Sequence, residues 1–266
     1  MRKLKFREWV TIALAASILI VALLGSRAAP LNPLKLNTPM RFKPPDISHW
    51  MGTDNLGRDM ASRIITGTQL AVQSCLIILI TAIVIGILVG LISGYYGGWV
   101  DEIFMRVSDV FIAFPGLVLA LAIAAALGPN LNNAMIAIAA VWWPPYARLV
   151  RGQVLLLKEF DYINATRALG GGDLRVMFAH ILPNLLIPLI IQITSDIGPA
   201  LVTTSSLSFI GMGAQPPTPE WGSMVSFGRK YIFDYWWMST FPGAAIFITV
   251  LAFNGVGEIL RKRLQS

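Results

Sequence analysis

The sequence predicts an all-α integral membrane protein with six transmembrane helices. Of its 266 residues 55% are hydrophobic and only 13% charged, where soluble domains carry about 25%. The apolar residues gather into long runs of spanning length. Lys and Arg stand at the ends of those runs and not on one basic face, so the formal charge of +7 reads as membrane topology and excludes a nucleic-acid surface. Cys75 is the single cysteine, which rules out disulfides and cysteine-ligated zinc or iron–sulfur centres within the chain.

Residues 1–7 (MRKLKFR) are basic and 9–24 are apolar. Two readings stand here, a cleaved signal peptide followed by the small residues of SRAA, or a first span. The uncleaved span is preferred, because an odd number of spans would separate the tail from the large loop described below. Residues 25–67 are polar and rich in Pro and Asn, ending in HWMGTDNLGRDMASRIITG. There Thr53 or Asp54 is expected to cap a short interfacial helix, with Asp54, Arg58, Asp59 and Arg63 as a structural charge cluster. The expected division is thus 1–67, a first helix plus an extracytoplasmic segment, and 68–266, a five-helix core.

The second span covers 70–92, with Gly86, Gly90 and Gly94 spaced for close helix packing. The third runs from about Ile103 to Leu127, and Glu102, Arg106 and Asp109 at its start are i, i+4 and i, i+3 neighbours. GPNLNN is a turn. The fourth span follows, bent or interrupted by Trp142, Trp143, Pro144 and Pro145. Then comes a hydrophilic stretch, 148–183, with a Gly triplet at 170–172 between two helical patterns. The fifth span, about 185–210, is unusually polar, with Gly198 and Pro199 weakening its middle. An aromatic loop precedes the sixth, about 238–260, and the tail RKRLQS is basic. Six spans put both termini and the 148–183 loop on one side. About 13 Lys and Arg then lie on that side and about 8 on the other, which gives N-in, C-in.

Asp196 is the most informative side chain, since a carboxylate within a span needs a cavity, a bundle interior or a partner. Gln192 precedes it by one turn, and Thr203 and Thr204 continue the polar series toward the far end. Two readings stand side by side: a translocation pathway in which Asp196 meets a cationic group of the substrate or a proton, and an interhelical hydrogen bond. No nucleophile–base pair or metal-ligand spacing occurs, and His49 and His180 fall on opposite sides of the predicted membrane. No phosphate loop of the GxxxxGK[ST] type is present. A transporter subunit without its own energy source fits best, one to which a separate ATPase docks through the 148–183 loop. A proton-coupled secondary carrier is the rival of another class, but it would usually show internal repeats, and none is evident.

Four stretches carry a family resemblance. The loop matches a pattern of EAA, three residues, Gly, nine residues and I-x-L-P: Asn164, Ala165 and Thr166 stand at EAA, Gly170 at the Gly, His180 at the Ile, and Leu182 and Pro183 at the end. HWMGTDNLGRDMASRIITG, MRVSDVFIAFP and LSFIGMGAQPPTPEWGSM are the others. The chain resembles the inner-membrane permease subunits of binding-protein-dependent ABC importers, most closely the C-type permease of the dipeptide/oligopeptide/nickel branch. The resemblance implies the MetI-like permease fold of type I ABC importers, in a bacterial inner membrane. It implies that Asn164, Ala165, Thr166, Arg167, Leu169, Gly170, Leu182 and Pro183 form the segment coupled to the ATPase. It also implies three kinds of partner: a homologous B-type permease, two ATP-binding subunits and an extracytoplasmic substrate-binding protein. ATP and magnesium would then belong to the ATPase subunits, and this chain would be non-catalytic and hold no cofactor. Short peptides are the expected cargo and a nickel chelate the alternative, because the spans lack the His and Met set that bare nickel would need. The motif's Glu is Asn164 here, and Thr204 replaces a glutamate that the branch usually places before LSF.

Overall fold

The computed structural model describes residues 5–264. Among them every long element is an α-helix, and the only β-pairing is an isolated bridge between Thr53 and Asp59. The helices are α1 (Phe6–Leu24), α2 (Met60–Tyr96), α3 (Gly98–Ala113), α4 (Gly116–Leu127), α5 (Leu131–Leu157), α6 (Asp161–Ala168), α7 (Asp173–Arg175), α8 (Leu182–Ile210), α9 (Trp221–Gly228) and α10 (Trp237–Leu264). A π-helical stretch, Val176–Ile181, joins α7 to α8.

Four helical stretches are long and apolar enough to cross a membrane: Phe6–Ala28, Met60–Tyr96, Asp173–Ile210 and Trp237–Leu264. The α3–α4 pair makes a fifth if counted as one span, bent by 92°. That break departs from the continuous third span expected from the sequence. Pro115 has no N–H to continue the ladder and holds Phe114 extended (φ −92°, ψ 144°), so the chain turns there and restarts as α4. α5 has the length of a span, 27 residues, but Trp142, Trp143, Pro144, Pro145, Tyr146 and Arg148 dilute its hydropathy. It packs against α2, α3, α4 and α8, and a helix enclosed by protein needs no all-round apolar surface. It also runs unbroken through its two prolines, as α8 does through Pro188 and Pro199.

The most extensive helix pair is α2 with α5, and the glycine stripe explains it. A Cβ at Gly86 would lie 2.4 Å from Tyr146 Cβ, one at Gly90 2.5 Å from the Ala147 carbonyl oxygen, and one at Gly94 2.8 Å from Val154 Cβ. The two backbones approach closely only because these side chains are missing. On the outer faces Leu76, Ile77, Ile80, Val84, Leu186, Ile187 and Ile190 are exposed, an apolar coat that a bilayer solvates and water does not.

The start of α2 is set by Asp59, whose Oδ2 accepts from the Ser62 N–H at 2.8 Å and Ser62 Oγ at 2.6 Å. The expected cap, Thr53 or Asp54, lies elsewhere, and the helix is no short interfacial piece but the first turn of α2. Asp54 instead closes the preceding turn, accepting from the Leu56 and Arg58 N–H groups, and pairs with Arg58 Nε at 2.6 Å and Arg63 Nε at 3.7 Å. His49 Nδ1 meets Asp59 Oδ1 at 2.8 Å. The four charges named in the sequence therefore form a buried structural network. Over it pack the segment before α2 and the α8–α10 connection, with Trp237 Nε1 donating to the Thr53 carbonyl and Trp221 Nε1 to the Ile64 carbonyl.

Candidate functional site: a carboxylate-lined cavity and an outward loop

The polar residues of α8 divide sharply. Thr194, Ser195, Thr203 and Thr204 each donate the side-chain hydroxyl to a carbonyl one turn earlier, Thr203 to Pro199 at 2.8 Å and Thr204 to Ala200 at 2.8 Å. Such bonds satisfy a hydroxyl within its own helix and leave it little to offer a solute. Thr204 is buried as well, so neither threonine joins the cavity with Asp196.

Gln192 and Asp196 do come together. Gln192 Nε2 donates to Asp196 Oδ2 at 3.0 Å, and the Tyr146 hydroxyl, from α5, donates to the same oxygen at 2.6 Å. Tyr146 is almost wholly buried against the Gly86 step of α2, so the close packing of α2 on α5 fixes where its hydroxyl points. Beside this trio opens a cavity of about 340 Å³ between the α3–α4 corner, α5 and α8, walled by Phe111, Phe114, Val141, Trp142 and Pro145. The Pro115 break is what brings Phe111 and Phe114 to it. Sequence reasoning found the carboxylate and the amide and missed the rings. The signal was present in Tyr146, since a buried phenol in an apolar helix requires an acceptor, and its i, i+4 neighbour Trp142 shares its face.

Charge pairs fasten α3 to α5. Arg151 donates to Asp101 at 2.5 Å and Arg148 pairs with Asp109, while Arg106 pairs with Glu102 along α3. Asp109 thus serves a neighbouring helix, not the i−3 partner the spacing suggests.

The 148–183 stretch folds as α6, a glycine turn, α7 and the π-helical entry into α8. Ile163 anchors α6, fully buried in a cluster with Tyr95, Val154, Val176, Met177 and Ile181. The outer face carries Asn164, Ala165 and Arg167, all exposed, and Leu169, which is 90% exposed and so has no apolar partner among the described residues. Thr166 is half-buried and its hydroxyl donates to the Tyr162 carbonyl. The Gly171 N–H bonds the Thr166 carbonyl and the Gly170 N–H that of Arg167, both at 2.9 Å, with Gly170 at φ +84°. This is the Schellman closure that glycine favours. Leu182 is half-buried against the Ile163 cluster and Pro183 is exposed. Tyr95, at the end of α2, ties the loop down: its hydroxyl donates to Asp173 at 2.6 Å and the Arg167 guanidinium lies 5.0 Å from its ring. Lys158 Nζ adds a bond to the Gly94 carbonyl at 3.2 Å.

Among the described residues no three His, Cys, Asp or Glu side chains gather to hold a metal ion. His49 and His180 lie at opposite ends of the bundle, near the start of α2 and the start of α8.

A protein family described as "Binding-protein-dependent transport system inner membrane component" matches residues 86–266, which include the cavity and the loop. The chain is 43% identical over 248 residues to the probable D,D-dipeptide transport system permease protein DdpC of Escherichia coli K12, covering 93% of this chain and 83% of that protein. It is 41% identical over 256 residues to the dipeptide transport system permease protein DppC of Alkalihalophilus pseudofirmus, covering 96% and 84%. It is 39% identical over 263 residues to the glutathione transport system permease protein GsiD of Pectobacterium atrosepticum, covering 97% and 87%. Among solved structures, an amino acid ABC transporter crystallised with histidines superposes with a TM-score of 0.56 at 16% identity, over 76% of this chain and 94% of that one. That likeness establishes a shared fold.

Proposed function

The chain belongs to the binding-protein-dependent transport system inner membrane components, multi-pass proteins of the inner membrane, and on that premise we propose that it is a permease subunit of an ATP-driven importer of short peptides. In this reading six spans cross the bilayer, α5 being the one whose polarity is sheltered by its neighbours, and both termini and the α6–α7 loop face the cytoplasm. A homologous permease completes the pathway, two ATP-binding subunits dock on the loop, and an extracytoplasmic binding protein delivers the cargo. ATP and magnesium belong to those subunits, and this chain catalyses nothing.

The observation that carries the reading is the α6 loop. It is anchored from within by Ile163, Tyr95 and the Arg167 guanidinium over the Tyr95 ring, yet presents Ala165 and Leu169 outward, exposed. A short helix built so that one face is fixed and the other is bare suits a ball-and-socket contact with a moving subunit. Asn164, Ala165, Thr166, Arg167, Leu169 and Gly170 would make that contact, with Leu182 and Pro183 leading its motion into α8. Gln192 and Asp196 would line the pathway. Thr203 and Thr204, with their hydroxyls turned into their own helix, would contribute to packing more than to the path.

Peptide cargo is supported by the dipeptide and glutathione transport names of the relatives. Nickel is not favoured, since the two histidines are far apart and no metal cluster forms among the described residues. The test is uptake of a radiolabelled dipeptide, with nickel uptake in parallel, in cells carrying the whole transport system and in their Gly170→Arg counterparts. Peptide uptake lost in the variant, at unchanged abundance of the protein, is the expected result. Nickel uptake lost while peptide uptake persists would keep the coupling mechanism and overturn the cargo. If neither changes, the loop is not the coupling element.

A further inference from the structure

We propose that the cavity beside Asp196 recognises a primary ammonium group, which on a short peptide is its free N-terminus. The assignment of peptide as the bearer rests on the importer reading above; the chemistry of the site is argued from its geometry.

Asp196 lies midway between Leu182 and Ile210, about 21 Å from either end of α8 at ~1.5 Å per residue. A carboxylate at that depth is costly without a cationic or hydrogen-bonding partner. Both of its protein partners, Tyr146 and Gln192, are neutral donors and both use Oδ2. Oδ1 forms no hydrogen bond among the described residues, and the ion pairs of Lys43, Arg58, Arg63, Arg106, Arg148, Arg151 and Lys262 all go to other carboxylates. The carboxylate is therefore oriented without being neutralised, and it stands at the wall of the cavity of about 340 Å³, within the usual range for small-molecule sites. The remaining wall is apolar, with three aromatic rings among Ile112, Gly116, Val141 and Pro145. Phe111, Phe114 and Trp142 supply aromatic rings, whose faces attract cations. An oriented carboxylate sharing a cavity with aromatic rings is a donor-hungry arrangement that favours a cation. An ammonium group meets it with three N–H donors and a compact charge. The C-terminal carboxylate of the same peptide would be repelled, so the cargo would enter this site amine first.

The experiment uses the complete importer in lipid nanodiscs without its binding protein, and equilibrium dialysis of radiolabelled Ala-Ala against N-acetyl-Ala-Ala. Ala-Ala is expected to bind roughly tenfold or more tightly than the acetylated form, a charge-assisted contact being lost on acetylation. Asp196→Asn should remove that preference, weakening Ala-Ala to the level of the acetylated peptide while leaving the latter unchanged. Asp196→Glu should restore part of it. Phe114→Leu changes no charge at an exposed position, and should weaken Ala-Ala by roughly threefold. Equal binding of the two peptides, undiminished binding by Asp196→Asn, or no Ala-Ala binding by the unaltered complex would each overturn the proposal. An Asp196→Asn complex that falls apart would point to a cation of the second permease as the partner, and would overturn it too. ATP hydrolysis by the unaltered complex, stimulated by peptide-loaded binding protein, separates the two levels. If that stimulation is present and the ammonium preference absent, only the recognition site fails. If stimulation and uptake are both absent, the importer reading itself fails.

Discussion

Gly170 holds φ +84°, and a Cβ placed there meets nothing within 4 Å. Substitution is therefore opposed by the backbone and not by crowding. Gly170→Ala should destabilise the α6 terminus by about 1 kcal/mol, seen as faster amide exchange at Gly170 and Gly171 with the bundle untouched. Gly170→Arg carries the same backbone cost and adds bulk that points away from this chain. If Ala preserves dipeptide uptake and Arg abolishes it, the loss belongs to a docking surface and not to folding. Glu220 offers a residue-scale test by pH. It caps α9, accepting from the Gly222 and Ser223 N–H groups, and is buried. Burial holds its carboxyl above the ordinary 4.5, the capping hydrogen bonds offsetting only part of that. The folded state thus binds this proton more tightly than the unfolded one. The stability it contributes is complete below the ordinary value and declines as pH rises through the raised one. Glu220→Gln should flatten that part of the decline in a thermal-melt series across pH. Asp196 was legible in the sequence because a lone carboxylate in a span demands a reason. Tyr146 was hidden by its company, since WWPPY reads as an interfacial belt and only the fold shows that its hydroxyl turns inward.

At the scale of elements, the glycine stripe of α2 was readable from spacing alone, and the structure gives it a partner helix. Gly90→Leu would thrust a side chain at the Ala147 carbonyl and Val150. The expected outcome is loss of several kcal/mol through overpacking, read as a melting temperature in detergent lowered by many degrees. Gly152→Leu, where a Cβ meets nothing within 4 Å, is the matched control and should melt near the unaltered protein. The long apolar runs were legible as spans for the same reason, because each is a property of one helix. The α3–α4 corner was less so: MRVSDVFIAFPGLVLALAIAA reads as one continuous hydrophobic stretch, and Pro115 alone does not say whether a helix kinks or stops. Here it stops, and the cavity exists because it does. The polarity of α8 is ambiguous in another way, since back-bonding hydroxyls look from sequence the same as hydroxyls lining a path. Caps are equally ambiguous, as Thr53, Asp54 and Asp59 are all competent and only the tertiary network selects Asp59.

For the molecule as a whole, the orientation is testable with the chain's own chemistry. Cys75, its one cysteine, is buried, so the unaltered protein should be nearly silent to a membrane-impermeant thiol reagent. Ile47→Cys, at a site 96% exposed in the polar segment before α2, and Leu169→Cys, at a site 90% exposed in the loop, report on opposite ends of the bundle. In intact cells stripped of their outer barrier only Ile47→Cys should react, and in inverted vesicles only Leu169→Cys. The reverse pattern would turn the topology over. Those two ends are spanned by α2, whose 37 residues extend about 55 Å at ~1.5 Å per residue, while the hydrocarbon core of a bilayer is ~30 Å thick. Its first turn is locked into the Asp54–Asp59 network and its last is pinned through Tyr95 to the α6–α7 loop. A rod anchored at both extremities and pivoting at its waist behaves as a seesaw. A tilt of about 5° would swing each extremity by roughly 2 Å in opposite senses, given the ~1.5 Å rise per residue. A push felt at the loop would reach the far mouth as a pull, with no relay of side chains between them.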